Sequence, residues 1–309
     1  MPRGFGELAA SLAHLEAQTR RDAIEVVLVH TPRNAGEVDA RRFEGFRGFR
    51  AVEVPRIPAV ASAFVAACAV ATGDVIALVE DHVMLDRRWA EATLDAHGHD
   101  CAAVSPVMSN GNPATSISWA NFVSSFHDAI GAAVPGPVAC GPGHNTSYKR
   151  GVLLRYGTAL ESLYQSERSF HYRLQQDGHV IWHAPDARLA HLNISRGWHA
   201  VRHSWLGGAM FGQYRSKNMK RGERVLRTLG APLVPLVRFR RIRHAVRTAD
   251  VAMRPGAWGL LWLMLGGHAM GEAVGYWMLV RGIEARYEFF ELHRLECLRA
   301  DERRLMTGA

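Results

Sequence analysis

The sequence predicts an α/β protein, with a doubly wound, mostly parallel sheet over residues 1–195 and a helical extension over residues 196–309. Three observations predict it. Helix-like and strand-like segments alternate through the first part, the order that builds parallel sheets from crossover units. The strands are short β-branched apolar runs, as expected where both faces are covered. After about Ser195 the texture changes to basic and apolar helical segments, and a chain of 309 residues is long enough for one large core plus such an appendage.

Residues 7–18 place Leu8, Leu12 and Leu15 at helical spacing, and EVVLVH over residues 25–30 reads as a buried strand. Residues 60–71 form an alanine-rich helix that Gly73 ends, and DVIALV over 74–79 is the next parallel strand. Trp89 and Leu94 belong to a further helix. Residues 102–106 read as a strand, 141–145 as a glycine-rich turn, and 180–183 and 188–191 as two separate short strands.

Composition narrows the class. Hydrophobic content of 48% with 21% charged residues excludes long disorder. Cys68, Cys101, Cys140 and Cys297 lie far apart, which fits neither a zinc ribbon nor a disulfide framework and predicts reduced cytoplasmic thiols. The opening residues lack the basic, apolar and small-residue order of a secretory signal, so none is expected. The net charge of +8 is uneven: residues 196–309 carry 20 Lys and Arg against 9 Asp and Glu, and residues 1–195 carry 17 against 20. A basic tail calls for an anionic partner, phospholipid or nucleic acid.

Ligands of parallel sheets bind at the carboxyl ends of strands, and the strand ending at Val79 runs directly into Glu80, Asp81 and His82. These are metal-ligand types, and a divalent ion there could bridge a diphosphate. Mg²⁺ or Mn²⁺ is the expected ion, because oxygen ligands and diphosphate favour hard cations. A plainer reading makes Asp81 a helix cap with solvated neighbours.

The combined order resembles the nucleotide-binding half of family 2 glycosyltransferases of the A-type fold. The resemblance rests on residues 7–18, residues 25–30, ATGDVIALVEDH over 71–82 with Leu85, Asp86 and Trp89, GHNTSYKR over 143–150, ERSFHYRL over 167–174 with Gly178, and residues 185–191. The Glu-Asp-His tripeptide stands where that family carries Asp-x-Asp. The resemblance implies that Asp81 binds metal and diphosphate with Glu80 and His82 assisting, and that His191 approaches the metal. It also implies that Asp81, Asn145 and Arg150 contact the nucleotide sugar, and that Glu167 is the base for an inverting transfer. Without it, Glu167 reads as a solvated helical residue and His191 as a hydrogen-bonded strand end.

Three departures from the family pattern stand out. No first strand precedes the opening helix, which raises the expectation of a strand encoded upstream of Met1. His30 and Thr31 replace the acidic pair after the second strand, leaving Glu37 and Asp39 as weak substitutes. Phe64, Val65, Ala66 and Ala67 replace the family's Arg-Asn-x-Gly.

In the tail, residues 233–247 mix aliphatic residues with Arg238, Arg240, Arg241, Arg243 and Arg247, the pattern of a basic segment lying on anionic lipid. Residues 256–280 carry only His268 and Glu272 as acidic or basic groups, with six glycines. A membrane span, an interfacial or re-entrant helix and a buried packing helix are all open there. Residues 283–304 read as a charged, solvated helix. The expected protein is thus a metal-dependent glycosyltransferase on the cytoplasmic side of a membrane, attached peripherally or partly inserted. Its donor would be a nucleotide-diphosphate sugar, its acceptor lipid-linked or polysaccharide, and nucleic acid is not expected as a partner. Two rivals use the same residues: a degenerate, non-catalytic relative acting as a membrane-bound partner, and a basic nucleic-acid-binding protein.

Overall fold

The computed structural model describes residues 4–131, 134–165, 167–217 and 219–308; the side chain of Glu167 lies outside the described residues. The first elements are α1 (Ala9–Glu16), β1 (Glu25–His30), β2 (Gly48–Glu53), α2 (Val60–Val70), β3 (Val75–Ala77), β4 (Val83–Leu85) and α3 (Trp89–His97). The middle holds β5 (Ala103–Asn110), α4 (Ser116–Phe126), β6 (Gly136–Val138), β7 (Ser147–Lys149), α5 (Arg150–Leu154), α6 (Leu160–Tyr164), α7 (Glu167–Gln176) and β8 (Ile181–His191). The remainder is helical: α8 (Gly197–Ser216), α9 (Arg221–Gly230), α10 (Val234–Thr248), α11 (Ala257–Gly275), α12 (Ile283–Leu292), α13 (Arg294–Cys297) and α14 (Arg304–Thr307).

Two compact units divide the chain. One comprises Met1–Gly111, Asp128–Leu192 and Arg303–Ala309, the other Asn112–His127 and Asn193–Glu302. All the strands belong to the first unit. The second is built from helices, and it takes in α4 together with α8 to α13, while α14 belongs to the first.

The expectation of one doubly wound, mostly parallel sheet is corrected by the strand pairing. β1 and β2 form a separate two-stranded parallel sheet, and the main sheet runs β3-β7-β5-β8-β4 with β6 also paired to β8. Within the main sheet only β5 and β8 are parallel; β3 with β7, β7 with β5, β4 with β8 and β6 with β8 are antiparallel. Parallel neighbours need a long crossover, usually a helix. The parallel pair β5 and β8 meets this with α4, α5, α6 and α7 between them, whereas β7 runs against both β3 and β5, and β4 and β6 run against β8. The two short strands expected over 180–191 are one strand, β8, whose register against β5 slips beside Pro106 so that residues 185–187 have no partner there.

The apolar pattern explains the core of this unit. Ala61, Phe64 and Cys68 recur at three- and four-residue spacing on α2 and bury against Ile76, Tyr148, Leu153, Tyr164 and Phe170. Phe64 stacks on Tyr164 with ring centroids 4.2 Å apart. One of the sequence departures therefore has a packing reason, since this helix position supplies a core ring.

In the helical unit, α8 and α11 pack backbone against backbone. A Cβ at Gly208, Gly212, Gly271 or Gly275 would run into the facing helix. This close approach is what the glycines of α11 serve. Glu272 is buried beside it, accepting a hydrogen bond from the Tyr276 hydroxyl with Arg215 Nη1 3.7 Å away. No helix among the described residues is long and apolar enough to cross a membrane. The single helix expected over 283–304 is broken: His293 leaves helical geometry (φ −132°, ψ 43°), and Phe290, Arg294 and Cys297 are buried rather than solvated.

Candidate functional site

Backbone topology brings three distant segments of the first unit together. β3 delivers Glu80 just past its carboxyl end, and the chain turns there with the Val83 amide on the Glu80 carbonyl. β4 then pairs antiparallel with β8, which sets Val83 opposite His191, and the Leu192 amide donates to the His82 carbonyl. Ser11 of α1 closes the back of the turn, its buried Oγ 2.8 Å from the carbonyl oxygens of Asp81 and Val83 and 3.2 Å from that of Glu80.

Glu80, His82 and His191 are all buried, and each offers one ligand atom within 4.8 Å of the others. His82 Nε2 stands 3.8 Å from Glu80 Oε1, and His191 Nε2 3.6 Å from Glu80 Oε2. The two imidazoles meet edge to face, centroids 4.8 Å apart. Asp81 lies outside this trio. Its Oδ1 sits 2.7 Å from His82 Nδ1, an arrangement that places the proton on Nδ1 and leaves Nε2 as the open nitrogen. The resemblance implied Asp81 as chief ligand with its neighbours assisting; the geometry converges Glu80 and His82 and sets Asp81 behind His82.

A loop between β6 and β7 holds the carboxylate from the other side. His144 Nδ1 is 2.8 Å from Glu80 Oε1, and Asn145 Nδ2 donates to Glu80 Oε2 at 2.6 Å. Burial works to raise the Glu80 pKa. Where the rings of His82, His144 and His191 are protonated, their charges and the His144 hydrogen bond outweigh it and hold the carboxyl well below the ordinary range. Gly143 takes φ 78° to present the two side chains, a conformation open to glycine without strain. His171 anchors the loop: Nδ1 accepts from the Gly141 amide at 3.2 Å, and Nε2 is 2.8 Å from the Tyr148 hydroxyl. Its burial depresses the imidazole pKa to about 4, so it stays neutral.

Of the residues the sequence singled out, the structure therefore gathers Glu80, Asp81, His82, Asn145 and His191 at one place. Arg150 is not brought there. It follows the far end of β7, with Nε on the Ala71 carbonyl at 2.8 Å. Glu167 begins α7, and its side chain lies outside the described residues. His144 and Ser11 join the site without having been chosen from sequence. His144 sits inside the GHNTSYKR loop motif and could have been found there; Ser11 carries no signal in an alanine-rich helix.

The donor set fits a bound cation. Among the described residues His82 Nε2 is buried without a hydrogen-bond partner, and it points into the same small volume as a carboxylate and a second imidazole. Two imidazole nitrogens and one carboxylate suit a first-row transition ion better than Mg²⁺, which prefers an all-oxygen shell.

The architecture that carries this site is a glycosyltransferase fold. Among solved structures, the chain is similar to a mannosyltransferase, PcManGT from Pyrobaculum calidifontis, in complex with GDP-Man and Mn²⁺. The match has a TM-score of 0.55 and 16% sequence identity, and it covers 90% of this chain and 85% of that one. No family model and no curated protein matches the sequence.

Proposed function

We propose that the chain is a metal-dependent glycosyltransferase of the family 2 kind, with Glu-Asp-His in place of Asp-x-Asp, moving a sugar from a nucleoside-diphosphate donor to an acceptor hydroxyl. The observation that carries this reading is the convergence of Glu80, His82 and His191 at the carboxyl end of β3 within a glycosyltransferase fold. Glu80, His82 and His191 would hold the ion, with Asp81 fixing the His82 tautomer and Asn145 and His144 fixing the Glu80 carboxylate. An ion held there supplies Lewis-acid neutralisation of the departing diphosphate. Glu167, at the start of α7, is the proposed base: its carboxylate takes the acceptor proton as the hydroxyl attacks the anomeric carbon from the face opposite the diphosphate, which inverts that centre. The acceptor proposed from the tail's charge and apolar content is lipid-linked or polysaccharide.

Titration calorimetry with GDP and UDP, with and without Mn²⁺, tests this. Nucleotide is expected to bind only with the ion, and Glu80→Gln is expected to remove both ion and nucleotide binding. Absence of diphosphate binding with any divalent ion would overturn the reading. One observation favours the non-catalytic alternative: His30 and Thr31 leave the carboxyl end of β1 without a carboxylate, and the His30 ring is buried with Nδ1 against the Thr31 carbonyl at 3.1 Å. Nucleotide binding without transfer or slow donor hydrolysis would decide for that alternative.

A further inference from the structure

α9 is an amphipathic helix packed the unusual way round. Val225, Leu226 and Leu229 share one face at three- and four-residue spacing, yet no residue of α9 is buried, and Leu226 and Leu229 are 71% and 73% exposed. Its polar side fastens it to the rest of the helical unit: Arg224 Nη2 donates to the Ser216 carbonyl at 2.8 Å, and Trp277 Nε1 donates to Thr228 Oγ1 at 2.7 Å. The apolar surface continues beyond α9. Leu233 is 62% exposed, and Leu236 and Val237 follow it at the start of α10. Along α11, Trp262, Leu263, Met270 and, just past its end, Trp277 form a solvent-facing stripe with no charged residue among them, extended by Met278 and Leu279. Exposed apolar residues gathered on neighbouring elements in this way mark a docking site.

Charge identifies the occupant. The outer face of α10 changes along its length from Leu233, Leu236 and Val237 to Arg240, Arg243 and Arg247, all exposed. The apolar side of the same helix, Pro235, Ile242 and Val246, is buried inward, and Arg238 is turned onto the Ser124 carbonyl. The helical unit as a whole carries 18 Lys and Arg against 9 Asp and Glu. An apolar face bordered by arginines and tryptophans matches the boundary between acyl chains and anionic headgroups.

We propose that this face of α9, with the adjoining exposed residues of α10 and α11, inserts shallowly into an anionic lipid surface while Arg240, Arg243 and Arg247 engage the headgroups. The inference is independent of the donor-site reading, because every residue it uses lies in the helical unit. It is tested on the full chain by cosedimentation with vesicles of phosphatidylcholine alone or mixed with phosphatidylglycerol. Binding is expected only to the anionic vesicles, with a blue shift of tryptophan emission. Leu226→Glu with Leu229→Glu is expected to weaken binding at least about tenfold without changing the circular dichroism or the melting temperature. Changing the three arginines to Gln is expected to weaken it about a hundredfold and to remove most of its salt dependence. The proposal is overturned if the unaltered protein ignores anionic vesicles, if the double glutamate variant binds as well as the parent, or if sedimentation shows instead a dimer that the double variant breaks. Nucleotide binding measured on the same samples keeps failure here separate from failure of the enzymatic reading.

Discussion

Two neighbouring carboxylates at the end of β3 have different surroundings. Glu80 is buried and faces His82 and His191, whereas the Asp81 carboxylate contacts the far nitrogen of the His82 ring. The geometry therefore predicts different outcomes for two conservative changes. Asp81→Asn is expected to weaken Mn²⁺ binding about 10- to 100-fold, the usual consequence of removing a group that orients a metal-binding histidine. Glu80→Gln is expected to abolish it. Calorimetry with Mn²⁺ alone distinguishes the two, and equal loss in both variants would restore Asp81 to direct ligation. Asn145→Ala belongs with the weaker class, because it removes one hydrogen bond to the Glu80 carboxylate and leaves the donor atoms in place.

At the scale of elements, the contact between α8 and α11 depends on the absence of side chains. Gly212 and Gly271 each face the backbone of the partner helix, which cannot retreat as a flexible side chain would. Either glycine changed to Ala is expected to destabilise the protein by about 1–3 kcal/mol, the range for overpacking a tight interior. Gly266 lies on the exposed face of α11, and a Cβ there meets nothing within 4 Å. Gly266→Ala is therefore expected to be neutral or to stabilise by up to about 1 kcal/mol through helix propensity. Urea unfolding midpoints of the three variants provide the check, and a destabilising Gly266→Ala would contradict the described packing.

For the whole molecule, acid sensitivity follows from histidines withdrawn from water. Burial depresses His97, His171 and His203 to about 4 and His268 to about 3, against an ordinary value of 6.5. Two of them lie in each unit. A folded-state value below the unfolded one means that the unfolded chain takes up the proton first. The stabilisation is full above about pH 6.5 and is lost as pH falls toward 4, at up to about 1.4 kcal/mol per pH unit for each histidine. The unfolding midpoint is expected to drop between pH 7.5 and 5.5. His203→Phe, which keeps a ring beside Tyr287 and Phe290, should flatten that slope. A midpoint that is constant or rises over this range would contradict the burial of these rings.

What the amino-acid order determined by itself was local. A β-branched run set β1 and an alanine-rich run set α2 close to where the structure has them, and metal-ligand chemistry picked out Glu80, Asp81 and His82, to which the family resemblance added Asn145, Arg150, Glu167 and His191. Sequence periodicity reports which face of an element is apolar. It does not report what that face meets. Strand direction in the main sheet depended on which distant strands become neighbours: β7 runs against β3 and β5, and β4 and β6 run against β8, so the expected parallel order gave way to a mixed one. The different surroundings of Glu80 and Asp81 depended on which side chain the β3–β4 turn aims inward, a matter of backbone torsion that adjacent letters do not encode. The same holds for α9: its amphipathic pattern is present in the sequence, but only tertiary packing decides that the polar side is held by Ser216 and Trp277 and the leucines face out.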